Sequence, residues 1–244
     1  MKFNKLSLVI PVYNEERTIL QLLAKLAAVP FGIETEVILV DDGSKDKSRE
    51  ILQREFGGNP GYKIMFNEKN MGKSQTVRKG LLASTGDLVV IQDADLEYDP
   101  AELKEFVDLF QNSNVDVVYG NRFGKDNKVV YWQNWIGNRS LSAFSSIFTG
   151  LRSGMWTSDM EVCYKMVRGD VFRAIAQTIV SKSTFGLEPE VTAKLSRYKV
   201  DGKHLRFAQL AISYYPRTLA EGKKMHAVRD GIKALGEILK FNLS

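Results

Sequence analysis

Asp93 and Asp95 stand two residues apart at the end of an apolar run, Asp87 to Ile91, with Glu97 two residues further on. Two carboxylates so spaced at a strand end can approach one divalent cation. A hard ion such as Mg2+ or Mn2+ takes carboxylate oxygens together with substrate phosphates and water. A second acidic pair, Asp41-Asp42, closes the run Glu36 to Val40 and leads into Gly43-Ser44, which can equally be an ordinary turn with a helix cap. Gly72-Lys73-Ser74 mimics the end of a phosphate-binding P-loop, but the first glycine of that motif would fall at Asn67. No G-x-G-x-x-G follows the first strand either, so P-loop ATPase and dinucleotide-binding chemistry are excluded. An EF-hand calcium loop fails because Tyr98 stands where its glycine is required.

The elements that must position these residues alternate in type. Leu6 to Val12, Glu36 to Val40, Tyr62 to Phe66, Asp87 to Ile91 and Val115 to Tyr119 read as buried strands. Between them lie helical patterns: Glu15 to Ala28, a helix through Ile51 and Leu52 capped by Ser44 or Asp46, one through Val77, Leu81 and Leu82, and Ala101 to Gln111. This alternation predicts an α/β fold with a doubly wound, mostly parallel sheet. Ligands of such sheets bind outside the carboxyl ends of the strands. Tyr13-Asn14-Glu15, Asp41-Asp42, Asn70 to Lys73 and Asp93 to Glu97 all follow strands, so they should converge on one cleft.

After Gly120 the rhythm changes. Asn121 to Trp156 is rich in Arg, Lys, Asn, Ser and aromatics, and Tyr131, Trp132, Trp135, Phe144 and Phe148 lie among Lys128, Arg139 and Arg152. That mixture suits a membrane interface or a packed pair of helices. Val162 to Val167 reads as a strand, Gly169 to Ile179 and Phe185 to Tyr198 as helices, and Gln209 to Tyr215 as a late strand. In the tail, His226 to Leu243, an amphipathic helix carries Val228, Ile232, Leu235 and Leu239 on one face. It can pack on the body or on a second subunit, or rest on a membrane surface.

The chain holds 244 residues, 44% apolar and 26% charged, a globular composition that excludes disordered and fibrous readings. One large domain over 1–244 is expected. The longest uncharged stretch, Ser140 to Leu151, contains four Ser and a Thr, so no transmembrane segment is expected, since a span needs roughly 20 mostly apolar residues. The start does not read as a secretory signal, and the single Cys163 can form no internal disulfide and reads as a core residue. A cytoplasmic location follows. A net charge of +5 fits anionic partners without choosing among nucleotides, phosphorylated lipids and nucleic acid.

The constellation is more specific than its parts. Leu8-Val9-Ile10-Pro11-Val12-Tyr13-Asn14-Glu15-Glu16, Val40-Asp41-Asp42-Gly43-Ser44, Asn70-Met71-Gly72-Lys73 and Gln92-Asp93-Ala94-Asp95 together resemble glycosyltransferase family 2 of the GT-A fold. Gly120-Asn121-Arg122-Phe123, Ser158-Asp159-Met160-Glu161, Phe185-Gly186-Leu187-Glu188-Pro189-Glu190 and Tyr214-Tyr215-Pro216-Arg217-Thr218 with Glu221-Gly222-Lys223-Lys224 resemble its polyprenyl-phosphate (dolichol-phosphate) mannosyl- and glucosyltransferase branch. The resemblance implies a nucleotide-sugar half, 1–120, an acceptor half, 121–225, and the tail helix, 226–244.

It also implies roles. Pro11, Tyr13, Glu15, Asp41 and Asp42 would hold the nucleotide base and ribose, with Lys73 by the base or diphosphate and Asp93, Ala94 and Asp95 at the sugar nucleotide. Asp93, Asp95 and Glu97 would bind Mg2+ or Mn2+; Glu97 stands where dolichol-type members often carry Gln. Arg122, Arg139, Arg217 and Lys223 match basic positions that handle phosphates, and Arg suits that work through its planar fork of donors. The catalytic set would be Asp159, Asp95 and Arg122, acting on a GDP- or UDP-sugar and a polyprenyl phosphate or other lipid acceptor, with no nucleic-acid partner. Contact with the cytoplasmic membrane face and a homodimer are further expectations.

Inversion by a single in-line displacement is implied. A phosphate acceptor is already ionised and needs no strong base, whereas a hydroxyl acceptor, lipid or glycan, would use Asp159 as general base. Glu161, Glu188 and Glu190 are weaker candidates for that role. A sugar-1-phosphate nucleotidyltransferase is the more distant alternative, since Pro11-Val12-Tyr13-Asn14 replaces its Gly-rich opening loop.

Overall fold

Uncharged, β-branched runs form the middle of the sheet and polar loops form its rim. The chain was analysed as a computed structural model, which describes residues 2–129, 131–183, 185–217 and 227–243. In order it runs β1 (Lys5–Val12), α1 (Ile19–Ala27), β2 (Glu34–Asp41), α2 (Ser48–Phe56), β3 (Tyr62–Phe66), α3 (Lys73–Ala83), β4 (Leu88–Ile91) and a 3-10 turn (Pro100–Glu102). It continues through α4 (Leu103–Asn112), β5 (Val117–Asn121), α5 (Trp132–Ser153), β6 (Lys165–Arg168), α6 (Gly169–Thr178), α7 (Leu187–Arg197), the hairpin β7 (Lys199–Val200) and β8 (Lys203–His204), β9 (Phe207–Ala211) and α8 (Ala227–Leu243).

Seven strands make one sheet in the order β3-β2-β1-β4-β6-β5-β9. Neighbours are parallel except β6, which runs antiparallel to both β4 and β5. Chain order reverses beside β1, so the loops after β1 and β4 diverge and leave a crevice at the carboxyl edge. β1 and β4 are apolar along nearly their whole length because both faces are covered. α4 buries Leu103, Phe106, Val107 and Phe110 at helical spacing, and truncating one such phenylalanine typically costs about 3 to 5 kcal/mol. α3 lies so close to the sheet that a Cβ at Gly80 would come within 2.4 Å of Val9 Cγ1, which is why glycine occupies that position.

Three sequence expectations change. The strand expected at Val162 to Val167 begins at Lys165. The one expected at Gln209 to Tyr215 ends at Ala211, because the next backbone groups turn away to other partners: Glu102 accepts the Ser213 N–H and Asn127 Oδ1 the Tyr214 N–H. Residues 212–217 thus leave the sheet as a strap across the crevice. In α8, the stripe of Ile232, Leu235 and Leu239 faces outward, while Ala234, Ile238 and Phe241 pack on the body. Arg152 and Arg197 donate to the Asn242 carbonyl, and Arg197 also to that of Phe241, placing cations at the α8 carboxyl end. Among the described residues no helix is long and apolar enough to cross a membrane.

Candidate active site

The post-strand loops are laced together before any ligand is considered. Asn14 N–H donates to Ser44 Oγ (3.0 Å), Glu15 N–H to Ser48 Oγ (2.8 Å), and Lys45 N–H to Asn14 Oδ1 (2.8 Å). Asp46 accepts the Ser48 N–H (2.9 Å) from just before α2, whose N-cap is Lys47 and not the Ser44 or Asp46 expected from sequence. Gly43, at φ 70°, lets this turn approach the backbone of Lys69 and Asn70, where a Cβ would meet carbon at 2.7 Å. Pro11 lies beyond the last β4 partner of β1, Val9, and Tyr13 stands exposed at the rim.

Both acids of the Asp41-Asp42 pair are buried and employed. Asp41 accepts from the N–H groups of Gly43 and Ser44. Asp42 accepts from Asn67 Nδ2 (2.9 Å) and from the N–H groups of Met71 (2.8 Å) and Gly72 (2.9 Å), so one carboxylate fixes the loop between β3 and α3. That loop delivers Lys73 into the crevice. Its ammonium lies 2.9 Å from Asp93 and 3.2 Å from Glu188 on α7. Burial works against the ammonium charge, yet Asp93 and Glu188 hold Lys73 well above its ordinary pKa.

Beyond β4 the chain turns through Leu96, a non-glycine residue at φ 61°, which sets Asp95 and Glu97 on either side of a tight bend. Ala94, between the two aspartates, is buried. Arg217 then enters from the strap. Its guanidinium lies 3.2 Å from Glu15 and 3.3 Å from Asp95, and its backbone N–H donates to Glu97 (2.9 Å). Tyr214 donates its hydroxyl to the other Glu97 oxygen at 2.9 Å. Burial first, then the charges of Asp93 and Glu97, push Asp95 up to about 7 even with Arg217 beside it.

Among the described residues no three His, Cys, Asp or Glu side chains converge as a formed metal site. The donor chemistry nevertheless fits a hard divalent ion. Asp95, Glu97 and Glu15 gather hard oxygen ligands around one guanidinium, and burial first, then the charges of Asp93 and Glu97, raise Asp95 despite the Arg217 cation.

Across the crevice a different pair forms. Asp159 is fully buried and receives both prongs of Arg122, Nε to Oδ2 and Nη2 to Oδ1, each at 2.7 Å, with the Arg122 N–H adding a third bond at 3.0 Å. The guanidinium also sits 5.2 Å from the Tyr214 ring centroid. Arg139 does not join this group. It is an exposed residue of α5, between the rings of Phe123 and Trp135. Lys223 lies outside the described residues. Glu190 holds the N–H groups of Val180 and Ser181, and buried Cys163 faces the Ile91 carbonyl.

Sequence reasoning missed Glu102 and Asn127, which tether the strap. Glu102 takes the N–H and hydroxyl of Ser213 and the Lys125 ammonium, and Asn127 bridges the carbonyls of Arg122 and Ile212. Neither sits in a motif. Their partners lie as far as 111 residues away, so no local signal announces them.

A mostly parallel sheet with one antiparallel strand, carrying carboxylates and basic groups at its carboxyl edge, defines a GT-A type sugar-nucleotide transferase fold. The model for "Glycosyl transferase family 2" matches residues 7–175, and the chain belongs to that family. Over 146 residues it is 31% identical to a dolichol-phosphate mannosyltransferase of Pyrococcus furiosus, covering 60% of this chain and 40% of that protein. Over 133 residues it is 37% identical to an undecaprenyl-phosphate 4-deoxy-4-formamido-L-arabinose transferase of Pseudomonas aeruginosa, covering 53% and 38%. The matches thus span about two fifths of the length of these relatives. Among solved structures, glucosyl-3-phosphoglycerate synthase of Mycobacterium tuberculosis, in complex with Mn2+, UDP and glucosyl-3-phosphoglycerate, superposes with a TM-score of 0.66 at 16% identity, covering 98% of this chain and 80% of that one. S. aureus TarS with UDP-GlcNAc gives 0.58 at 19% identity, covering 96% and 66%. These similarities show the fold.

Proposed function

We propose that this glycosyltransferase moves a sugar from a nucleoside-diphosphate donor, of the GDP-mannose or UDP-glucose type, to the phosphate of a polyprenyl carrier, with inversion at the anomeric carbon. The observation that carries the choice of acceptor is the state of Asp159. Both its oxygens are held by Arg122 in a buried, bidentate pair, so the acid that stands first as base for a hydroxyl acceptor is already committed. An ionised phosphate needs no such base. The polyprenyl-phosphate names of the two relatives point the same way.

In this reading Pro11, Tyr13, Asp41 and Asp42 shape the base and ribose end of the cleft, and Lys73 meets the diphosphate from α3. Asp93, Asp95 and Glu97, joined by Glu15, would hold Mg2+ or Mn2+, which neutralises charge building on the leaving diphosphate. Arg217 and Arg122 orient the phosphates from the strap side. Arg139, on the aromatic shoulder of α5, lies where a carrier chain can approach beside the exposed Trp132 and Ile136. Contact with a lipid surface would use these residues together with the outward Ile232, Leu235 and Leu239 of α8.

The test is a transfer assay with Mn2+ and radiolabelled UDP-glucose or GDP-mannose, offering undecaprenyl phosphate, dolichyl phosphate and undecaprenol side by side. Label on a phosphate-bearing lipid supports the reading. Label on undecaprenol alone favours the hydroxyl acceptor.

A further inference from the structure

Glu161 lies between the two charged regions and belongs to neither. Its Oε1 is buried and has no hydrogen-bond partner among the described residues. The residue as a whole keeps partial access to solvent, through atoms other than Oε1. Its charged neighbours are Glu188, Lys165, Arg122 and Asp159. Glu188 ties it to the Lys73–Asp93 bridge on the donor side, and Arg122 and Asp159 bound it on the acceptor side. Lys165 uses two of its ammonium N–H groups on the carbonyls of Met160 and Val162, and its nitrogen lies 4.8 Å from the Tyr119 ring centroid.

A buried carboxyl oxygen without a partner is destabilising and is relieved by any ligand that can hydrogen-bond it. Burial, then the Glu188 charge, pushes Glu161 up to about 8, so the group is largely protonated at neutral pH. A protonated carboxyl both donates and accepts hydrogen bonds. A phosphate there would meet Glu188 and Asp159 as well as Lys165 and Arg122, so the surrounding charge does not favour it. A neutral polyol needs no such charge, since a hydroxyl can donate to a carboxyl oxygen and accept the carboxyl proton in turn.

We infer that Glu161 is a binding residue for the hydroxyl groups of the transferred sugar, placed between the donor diphosphate and the acceptor phosphate. The inference rests on the nucleotide-sugar reading above and adds a sugar-recognising group to it. It separates two parts of donor affinity: the nucleoside diphosphate is held elsewhere, and only the sugar reaches Glu161.

The test is calorimetric titration, with Mn2+, of wild type, Glu161→Gln and Glu161→Leu with UDP, UDP-glucose, GDP and GDP-mannose. Melting curves by circular dichroism check the fold. The readout is the affinity for each nucleotide sugar divided by that for its own diphosphate. Glu161→Leu should lower this ratio about tenfold for the donor the enzyme uses, with diphosphate affinity within twofold of wild type. Glu161→Gln, whose amide can still donate and accept, should recover part of the loss, and it serves as the main variant if the leucine protein does not fold. An unchanged ratio in both variants, or an equal loss of diphosphate and nucleotide sugar, overturns the inference. If the wild type binds neither UDP nor GDP, the nucleotide-sugar reading itself fails and the inference falls with it.

Discussion

The Asp95 cluster and the Asp159 pair both bring carboxylates to an arginine, and they do so to opposite effect. Around Arg217 three acidic residues share one guanidinium at 3.2 to 3.9 Å, and Asp95 is pushed up to about 7. Around Asp159 one acid meets one guanidinium in two 2.7 Å bonds, buried and matched in charge. The first region has more negative charge than its own cation can serve, and the second has none to spare. In the proposed reading, charge balance separates a place for a metal-bound diphosphate from a structural and orienting pair, although both use the same residue types.

Breaking the matched pair should have the largest effect. Asp159→Ala leaves Arg122 buried without its counter-charge, and chemical denaturation should register a loss of about 3 to 5 kcal/mol. Asp95→Asn should do the reverse, keeping the fold while cutting transfer by roughly a hundred- to a thousandfold, the scale expected when charge stabilisation of a leaving group is removed. Its pH signature is specific. With Asp95 raised from 3.8 to about 7, the folded metal-free protein binds more protons than the unfolded chain between those values, so stability falls as pH rises through that window. Melting metal-free wild type and Asp95→Asn at pH 5 and pH 8 should show a larger fall in the wild type, the remaining fall in Asp95→Asn coming from Glu161, which is raised to about 8 in both proteins.

Arg217→Met sharpens the contrast from the cation side. Removing the internal cation should tighten binding of Mn2+ alone by about tenfold, a factor worth roughly 1.4 kcal/mol, while lowering transfer. Mn2+ paramagnetic resonance reads the free ion directly. The smallest effect is expected away from the cleft, at Asp116. Burial opposes its charge, but Arg206 and Arg168 hold it at about 2 against an ordinary 3.8. Its contribution to stability is present above pH 3.8 and is lost as pH falls towards 2. Asp116→Asn should erase that acid limb with no change in metal binding.

The donor edge was legible because its signals are local. Uncharged runs such as Leu6 to Val12 must be covered on both faces, and acids directly after strands must land at one edge of a parallel sheet. The acceptor side was less legible for a physical reason visible in α5. That helix packs with Ser142, Ser145, Ser146, Thr149 and Gly150, small residues among which Ser146 and Thr149 donate to the carbonyls of Thr157 and Met155 and Ser142 accepts the Met160 N–H, so no apolar stripe marks it. The outward stripe of α8 misled in the opposite way: its apolar residues were the periodic ones, yet the body takes Ala234, Ile238 and Phe241. The bidentate Arg122–Asp159 pair and the Glu102 tether join residues 37 and 111 positions apart, which no window along the chain can see.

The most direct measurement of the central claim is a Mn2+ titration in the presence of UDP or GDP, followed by paramagnetic resonance, on wild type, Asp95→Asn and Asp159→Asn at a temperature where all three remain folded. The charge-balance account predicts that Asp95→Asn loses nucleotide-dependent Mn2+ binding while Asp159→Asn keeps it within a few-fold of wild type. Retained binding in Asp95→Asn, or its loss in a folded Asp159→Asn, would contradict the account.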